Sequence, residues 1–220
     1  MNRRELARLL DHSLLKPEAT EDDIVAQIQV VRQWGIGFLC VQPSYVSLAT
    51  GALRDSGTRV VSVISFPHGC ERSAVKVHAA ELAVRDGAAE VDMVMNVGRL
   101  KSGRNQAVAD EIAQVARAIP GVPVKVILET CLLTEAEKIM ACRMVRDSGA
   151  AFVKTSTGFH PSGGATVTDV RLLRTTVGSD FVVKAAGGIR TITDAQAMLE
   201  AGANRLGTSA SPAILAALPV

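Results

Sequence analysis

The chain has 220 residues and carries 24 basic and 22 acidic side chains, for a formal net charge of +2. This balance, with no basic run, argues against nucleic acid or a membrane surface as a partner. Hydrophobic residues make up 48% of the chain and aromatic residues only 3%. We therefore expect an aliphatic core, large enough for one sizeable domain.

The start of the chain is charged and amphipathic, without the apolar segment of a signal peptide, and no stretch is long and apolar enough to span a bilayer. The cysteines are scattered, and no two form a C-x-x-C pair. Free thiols are the rule in a reducing compartment. We therefore expect a cytoplasmic protein with four free cysteines, Cys40, Cys70, Cys131 and Cys142.

Short apolar runs alternate with longer helical patterns along the whole chain, and no Pro- or Ser-rich linker divides it. Glycine follows the end of four of the helical patterns, at Gly35, Gly87, Gly149 and Gly202, as expected for helix C-termini. The helical patterns include 71–86, 104–118 and 134–148. The predicted strands are 10–14, 37–41, 59–65, 90–96, 123–129, 150–155, 180–185 and 203–207.

Eight strand-then-helix units in this length predict a single-domain (β/α)8 TIM barrel over residues 1–220, with a short N-terminal helix. An open doubly wound sheet is the alternative. It is less favoured because no G-x-G-x-x-G follows the first strand.

Two lysines, Lys154 and Lys184, each lie near the end of an apolar run that precedes a glycine-containing segment. Burial there disfavours the ammonium form, and a second cation nearby lowers the pKa further. A lysine of ordinary pKa is only about 0.04% neutral at pH 7, and each unit of depression raises that fraction about tenfold. Because a neutral amine attacks carbonyl carbons, the pair indicates Schiff-base chemistry.

Charged residues on the predicted strands keep one parity, so they share one face of the sheet. In a barrel that face points inward and brings Asp92, Lys125, Lys154 and Lys184 together. A purely structural ion-pair network is the alternative interpretation. Burying four charges is expensive, however, and active sites are where such charges usually occur.

Glycine-bearing segments follow the last three predicted strands. Loops after the seventh and eighth strands of such barrels often hold phosphate through backbone N–H groups and a helix N-terminus. Ser209 and Ser211 are expected to add hydroxyl groups or to cap the last helix. The predicted phosphate-binding residues are Gly158, Gly187, Gly188, Gly207 and Ser209.

Over nearly its whole length the chain resembles the 2-deoxyribose-5-phosphate aldolase family of class I aldolases, which are TIM barrels. The segments that carry the resemblance are DHSLLKPEAT (11–20), CVQP (40–43), FPHG (66–69), EVDMV (90–94), KVILET (125–130), VKTSTG (153–158), KAAGGIR (184–190) and GTS (207–209).

The resemblance implies that Lys154 is the Schiff-base nucleophile, that Lys184 is the cation that tunes it, and that Asp92 moves protons through water. The family reaction reversibly cleaves 2-deoxy-D-ribose 5-phosphate into acetaldehyde and D-glyceraldehyde 3-phosphate, without metal or organic cofactor. The family also suggests a homodimer. The expected substrate-binding residues are Asp11, Ser13, Cys40, Lys125, Glu129 and Thr155.

Two positions depart from the common family pattern, with Ser13 in place of threonine and Gln42 in place of asparagine. Both are expected near the hydroxylated part of the substrate. Lys125 and Glu129 share a face four residues apart, which fits either a proton relay or a structural ion pair.

Two other functions stay open at this point. One is a different lysine-dependent aldolase, of the transaldolase or keto-acid kind. The other is a sugar-phosphate-binding barrel without catalysis, which has no need of a lysine of lowered pKa. A metal-dependent aldolase is disfavoured because the four histidines, His12, His68, His78 and His160, lack the spacing of metal ligands.

Overall fold

The computed structural model describes residues 1–219, and within them eight parallel strands close into a barrel in chain order. The strands are β1 (Leu10–Leu14), β2 (Phe38–Val41), β3 (Arg59–Ile64), β4 (Glu90–Val94), β5 (Val124–Ile127), β6 (Phe152–Lys154), β7 (Val182–Ala186) and β8 (Arg205–Thr208). The helices are α1 (Arg3–Ala7), α2 (Glu21–Trp34), α3 (Val46–Leu53), α4 (Ser73–Arg85), α5 (Val97–Lys101), α6 (Asn105–Ala118), α7 (Glu135–Asp147), α8 (Val167–Val177), α9 (Ile192–Glu200) and α10 (Ser211–Ala216). The predicted barrel with a short N-terminal helix is confirmed.

Strand register places the inward-facing charges at neighbouring levels. Asp92 pairs in register with Lys125, and Lys154 with Lys184. Barrel closure pairs β1 with β8 as well as with β2. Residues at the two ends of the strand sequence are therefore neighbours in space.

Local sequence signals set the helix ends. Thr134 caps α7 and forms a capping box with Glu137, in which each side chain accepts from the other residue's backbone N–H. Gly35 ends α2 in the left-handed conformation, with φ 62°. Gly35 thereby ends α2 shortly before β2 begins at Phe38.

The apolar core lies mostly between the barrel and its helices, where Val91 and Met93 of β4 and Met95 just after it contribute. A smaller apolar cluster lies inside the barrel and consists of Phe38, Cys40, Val61 and Val63. It leaves the remaining interior to charged side chains. No helix within residues 1–219 is long and apolar enough to cross a membrane.

Several predicted strands run past their observed ends, and the fifth is the one that matters for the site. The run 123–129 pairs only as Val124–Ile127, because the backbone of Glu129 turns into the left-handed region with φ 55°. A 3-10 turn at Thr130–Leu132 follows directly. This break changes where the Glu129 side chain points, as described below.

Candidate active site

Asp92 lies at the centre of a charged cluster inside the barrel. Its Oδ2 accepts from Lys154 Nζ and Lys184 Nζ, both at 2.7 Å, and its Oδ1 accepts from Lys125 Nζ at 2.6 Å. All four side chains are at least 96% buried. The four residues that strand parity brings together are therefore in direct contact.

A second group of charges adjoins these four. Lys125 Nζ lies 2.7 Å from Glu90 Oε2, and Arg205 donates to Asp11 Oδ1 at 2.7 Å and to Glu90 Oε1 at 3.2 Å. Lys184 Nζ also contacts Asp11. Arg205 is a member that the sequence reasoning missed, although its parity on the eighth predicted strand was the signal that could have found it.

Cations outnumber carboxylates in this cluster, with Lys125, Lys154, Lys184 and Arg205 against Asp11, Glu90 and Asp92. Exposed Arg59 also reaches Glu90, at 3.9 Å. Loss of a proton from one buried base therefore lowers the excess of like charge. Since guanidinium groups stay protonated, a lysine must give up that proton.

The two key lysines have opposite pKa shifts. Burial lowers the pKa of Lys154, and the positive charge of Lys184 acts in the same direction, against the opposing pull of Asp92. Burial acts on Lys184 as well, but the carboxylates of Asp11 and Asp92 outweigh it and raise its pKa. Lys154 is therefore the lysine that loses its proton more readily, and Lys184 is the one that holds its charge.

Both aspartates stay ionised. Burial alone would raise their pKa values, but Lys125, Lys154 and Lys184 hold the pKa of Asp92 well below its usual range. Lys184, with Lys125 and Arg205, lowers the pKa of Asp11 to about 2. The cluster therefore offers fixed negative charge beside an amine whose pKa is lowered.

A cavity of about 350 Å³ opens above the cluster at the carboxyl ends of the strands. Lys154 and Lys184 reach its floor, whereas Asp92 lies beneath the two lysines and does not line it. The predicted site residues that line the cavity are Asp11, Ser13, Cys40, Lys154, Gly158, Lys184, Gly187, Gly188, Gly207 and Ser209.

Three predicted substrate-binding residues do not line this cavity: Lys125, Glu129 and Thr155. Lys125 is fully buried against Asp92 and Glu90. Thr155 uses its hydroxyl within the sheet, where it donates to Ala186 O at 3.2 Å and accepts from Ala186 N at 3.1 Å. Its role in this structure is to join β6 to β7.

The alternative of a Lys125–Glu129 ion pair is wrong. Because of the left-handed turn at Glu129, its carboxylate accepts from the Thr157 backbone N–H at 3.1 Å and from the Thr157 hydroxyl. Glu129 thus holds the loop after β6 in place, next to Gly158, while Lys125 takes its partners inside the barrel.

Glycines after β6 and β7 lie in close backbone contact. A Cβ built on Gly187 would lie 3.0 Å from Gly164 Cα and 3.1 Å from Gly158 Cα. Gly187 and Gly188 also have φ values of 88° and 81°, which L side chains rarely adopt. Close packing of Gly158, Gly164 and Gly187 brings the loops after β6 and β7 together beside the cavity.

Ser211, expected near a phosphate, is used elsewhere. Its hydroxyl is fully buried and lies 3.0 Å from Nδ1 of His12, whose Nε2 lies 2.8 Å from Gln27 Oε1. His12 therefore links β1 to α10 and α2. Within residues 1–219, no group of three or more His, Cys, Asp and Glu side chains is arranged to hold a metal ion.

The structure is a closed (β/α)8 barrel with a cavity lined by glycine loops, and a lysine of lowered pKa lies at the bottom of that cavity. These features are typical of lysine-dependent (β/α)8 enzymes. More narrowly, the chain belongs to the DeoC/LacD family of aldolases, whose model matches residues 6–216. The resemblance found in the sequence is thereby confirmed.

Relatives support the same assignment. The chain is 49% identical to a deoxyribose-phosphate aldolase of Thermoanaerobacter sp. (strain X514), over 96% of this chain and 95% of that protein. It is also 49% identical to a deoxyribose-phosphate aldolase of Thermococcus kodakarensis, over 100% of this chain and 99% of that one. The solved structure of the Aeropyrum pernix deoxyribose phosphate aldolase, described as a tetramer, superposes with a TM-score of 0.89 at 32% identity, and the match covers 97% of this chain and 91% of that one.

Proposed function

We propose that this chain reversibly cleaves 2-deoxy-D-ribose 5-phosphate into acetaldehyde and D-glyceraldehyde 3-phosphate through a Schiff base on Lys154. One observation carries the proposal: Lys154 Nζ, at 2.7 Å from Asp92, lies at the floor of a substrate-sized cavity with its pKa lowered by burial. Relatives named deoxyribose-phosphate aldolase at 49% identity support the choice of substrate.

In the first step, the neutral amine of Lys154 attacks the aldehyde carbon of the open-chain sugar. A proton moves from the amine nitrogen to the new alkoxide oxygen, a further proton from water in the cavity lets the resulting carbinolamine lose water, and an iminium ion forms. Asp92 is the nearest acceptor of the amine proton. Because its pKa is well below its usual range, it passes that proton on to water in the cavity and then stabilises the iminium cation as a fixed negative charge.

Carbon–carbon cleavage follows. A base removes the proton of the C3 hydroxyl, the electrons of the C2–C3 bond move into the iminium, and the C3–C5 fragment leaves as D-glyceraldehyde 3-phosphate. The enamine that remains on Lys154 takes a proton at C2, and hydrolysis of the new iminium releases acetaldehyde and the free lysine. In this scheme Lys184 stays charged and keeps the amine of Lys154 neutral at the end of each turnover.

The phosphate lies in this scheme at the glycine loops after β6, β7 and β8. Gly158, Gly187, Gly188, Gly207 and Ser209 line the same cavity as Lys154. Backbone N–H groups of glycine loops bind anions well, since no side chain keeps the phosphate at a distance. Asp11 and Ser13 complete the wall beside the sugar hydroxyls.

Borohydride trapping tests the nucleophile. Reduction in the presence of acetaldehyde should leave an ethyl group on Lys154, located by peptide mass spectrometry, and Lys154→Met should abolish it. Trapping with pyruvate but not acetaldehyde would indicate a keto-acid aldolase instead. Binding of deoxyribose 5-phosphate without any covalent adduct would indicate a non-catalytic sugar-phosphate binder.

The proposal includes one catalytic domain over residues 1–220 that works without metal or organic cofactor. It also includes a homodimer in a reducing cytoplasm. All four cysteines are free in the structure, which fits a reducing compartment. Light scattering of the purified protein would distinguish a dimer from a tetramer of the kind described for the Aeropyrum pernix relative.

A further inference from the structure

The loop between β1 and α2 places a lysine on the rim of the substrate cavity. Lys16 is exposed and lines the cavity, as do Ser209 after β8, Arg190 after β7 and Gly158 after β6. Since β1 pairs with β8, these four loops are consecutive around the barrel. Lys16 thus lies at one end of the arc that holds the glycine-rich segments.

Lys16 forms no salt bridge with a carboxylate in the described part of the chain, although Asp23 lies near enough for the charge of Lys16 to lower its pKa. The salt bridges found within the described part of the chain involve neither Lys16 nor Arg190. Arg190 does lie beside the carboxylate of Asp194, which accepts from its backbone N–H at 3.0 Å. Asp23 stands in a similar relation to Lys16, so both rim cations have a carboxylate in the neighbourhood and neither is tied up in a salt bridge.

Two side chains from the turn after β2, those of Gln42 and Tyr45, hold the backbone around Lys16 in place. Gln42 Nε2 donates to Lys16 O at 2.6 Å and to Leu15 O at 3.2 Å. The hydroxyl of Tyr45 donates to Ala19 O at 2.7 Å, and Ala19 N donates to Lys16 O at 3.1 Å. These bonds fix the start of the exposed loop, so Lys16 projects from a defined position.

A phosphate monoester carries a charge of about −1.5 to −2 near neutral pH. Glycine N–H groups bind it as dipoles, whereas a side-chain cation adds a full charge that also attracts the anion from solution. Among the charged residues that line the cavity, Asp11 is already held by Lys184 and Arg205. The electrostatic potential at the rim of the cavity is therefore positive.

We propose that Lys16 is a specificity-determining residue that selects phosphorylated substrates, and that Gln42 is the residue that positions it. The proposal rests on the function proposed above and extends it. The longer side chain of Gln42, where the family pattern commonly has asparagine, spans the distance to the two carbonyl groups of the β1–α2 loop.

Steady-state kinetics on 2-deoxyribose 5-phosphate and on unphosphorylated 2-deoxyribose test this proposal. Lys16→Met should raise the KM for the phosphorylated sugar about three- to tenfold, the effect of one partly screened charge pair, with kcat changed less than about twofold. The KM for the unphosphorylated sugar should change less than about twofold, and Lys16→Arg should restore the wild-type preference. Lys101→Met, which removes an exposed lysine that does not line the cavity, is the matched control and should leave both values unchanged.

Two further measurements sharpen the test. Inorganic phosphate, used as a competitive inhibitor, should bind Lys16→Met more weakly by the same factor, and added salt should raise the KM of the variant less steeply than that of the wild type. Gln42→Asn should shift the KM in the same direction by a smaller factor, and only for the phosphorylated sugar.

Suppose that the wild type cleaves deoxyribose 5-phosphate. If Lys16→Met then changes the KM for both sugars equally, or changes neither, the role of Lys16 is overturned and the proposed function is not. A wild type with no cleavage of deoxyribose 5-phosphate would overturn the proposed function itself, and the selectivity assigned to Lys16 with it.

Discussion

Lys154 and Lys184 donate to the same carboxylate oxygen, and each Nζ lies 2.7 Å from Oδ2 of Asp92. Two ammonium groups on one oxygen repel each other, and Asp11 stabilises only one of them, Lys184. The asymmetry decides which lysine loses its proton. Asp11 thereby favours the charged form of Lys184 and leaves Lys154 as the lysine that loses its proton more readily.

Replacement of Lys184 by methionine should move the acidic limb of the pH–rate profile to higher pH by about one unit. The variant loses a like charge beside Lys154 and leaves Asp92 with one cation fewer, and both changes raise the pKa of Lys154. A larger share of Lys154 is then protonated at pH 7. The measurement is kcat/KM for deoxyribose 5-phosphate between about pH 5 and 9.

Lys138→Met provides a matched control for that experiment, because Lys138 pairs with Asp169 outside the cluster, at 2.5 Å. Its profile should coincide with that of the wild type. A uniform loss of rate in Lys184→Met, with the limb unmoved, would contradict the tuning role of Lys184.

The glycine loop after β7 allows a controlled test of phosphate binding. Gly188→Asp adds a negative charge where loop N–H groups should meet the phosphate, so activity on deoxyribose 5-phosphate should fall at least about tenfold more than activity on deoxyribose. Gly121→Asp is the control, because Gly121 has the same φ of 81° and, like Gly188, no atom within 4 Å of a built Cβ.

Backbone strain is therefore matched between these two variants, and thermal unfolding should show similar losses of stability. Only Gly188 lines the cavity. If Gly121→Asp changes the ratio of the two activities as much as Gly188→Asp does, phosphate does not bind at this loop.

Asp11 should make folding sensitive to acid in a defined pH window. Its pKa is lowered to about 2 in the folded protein, against about 3.9 in an unfolded chain. A lowered carboxyl pKa gives stability that is fully present above about pH 4 and is lost as the pH falls towards 2. The size is about 2–3 kcal/mol in the free energy of unfolding.

Urea unfolding of the wild type and of Asp11→Asn at several pH values isolates this contribution. The difference in free energy of unfolding between them should be largest near neutral pH and should shrink between about pH 4 and pH 2. A difference that stays constant over this window would show that the carboxylate of Asp11 has no lowered pKa.

The alternation of strands and helices in the sequence was sufficient to predict the barrel, and strand parity was sufficient to predict its central charges. A residue on a strand has only two directions to point, so Asp92, Lys125, Lys154 and Lys184 followed once the strands were found. Where the backbone leaves the strand, parity stops giving the direction. Glu129 is the example, because its left-handed turn at φ 55° sends the carboxylate to Thr157 rather than to Lys125.

No comparable sequence rule predicts contacts between loops and helices that are far apart in the chain. The position of Lys16 on the cavity rim follows from barrel closure between β1 and β8 and from the bonds of Gln42, neither of which leaves a local sequence pattern. The same holds for Lys76 and Glu111, which lie on α4 and α6 and are charged residues of ordinary amphipathic appearance. Both side chains are nonetheless 0% exposed.

These two residues form an ion pair outside the barrel that should be among the larger single contributions to stability. Lys76 Nζ lies 2.7 Å from Glu111 Oε1 and donates to Gly69 O and Val94 O, both at 2.8 Å. It thereby ties the loop after β3 to the end of β4. Burial lowers the pKa of Lys76, against the charge of Glu111, which raises it.

Glu111→Leu should lower the free energy of unfolding by about 3–5 kcal/mol, because it leaves a buried ammonium without a counter-charge. Lys76→Met should cost a similar amount, since it leaves two carbonyl groups without their donor and leaves the buried Glu111 carboxylate only its longer contacts, with Ser73 Oγ at 3.3 Å and Arg99 at 3.8 Å. The double variant should cost clearly less than the two single changes together, because neither charge is then left alone. Lys101→Met, which breaks the exposed Lys101–Glu137 pair at 3.3 Å, should change stability by less than about 1 kcal/mol. Urea unfolding of the four variants measures all these values, and strictly additive costs at residues 76 and 111 would show that the two charges do not depend on each other.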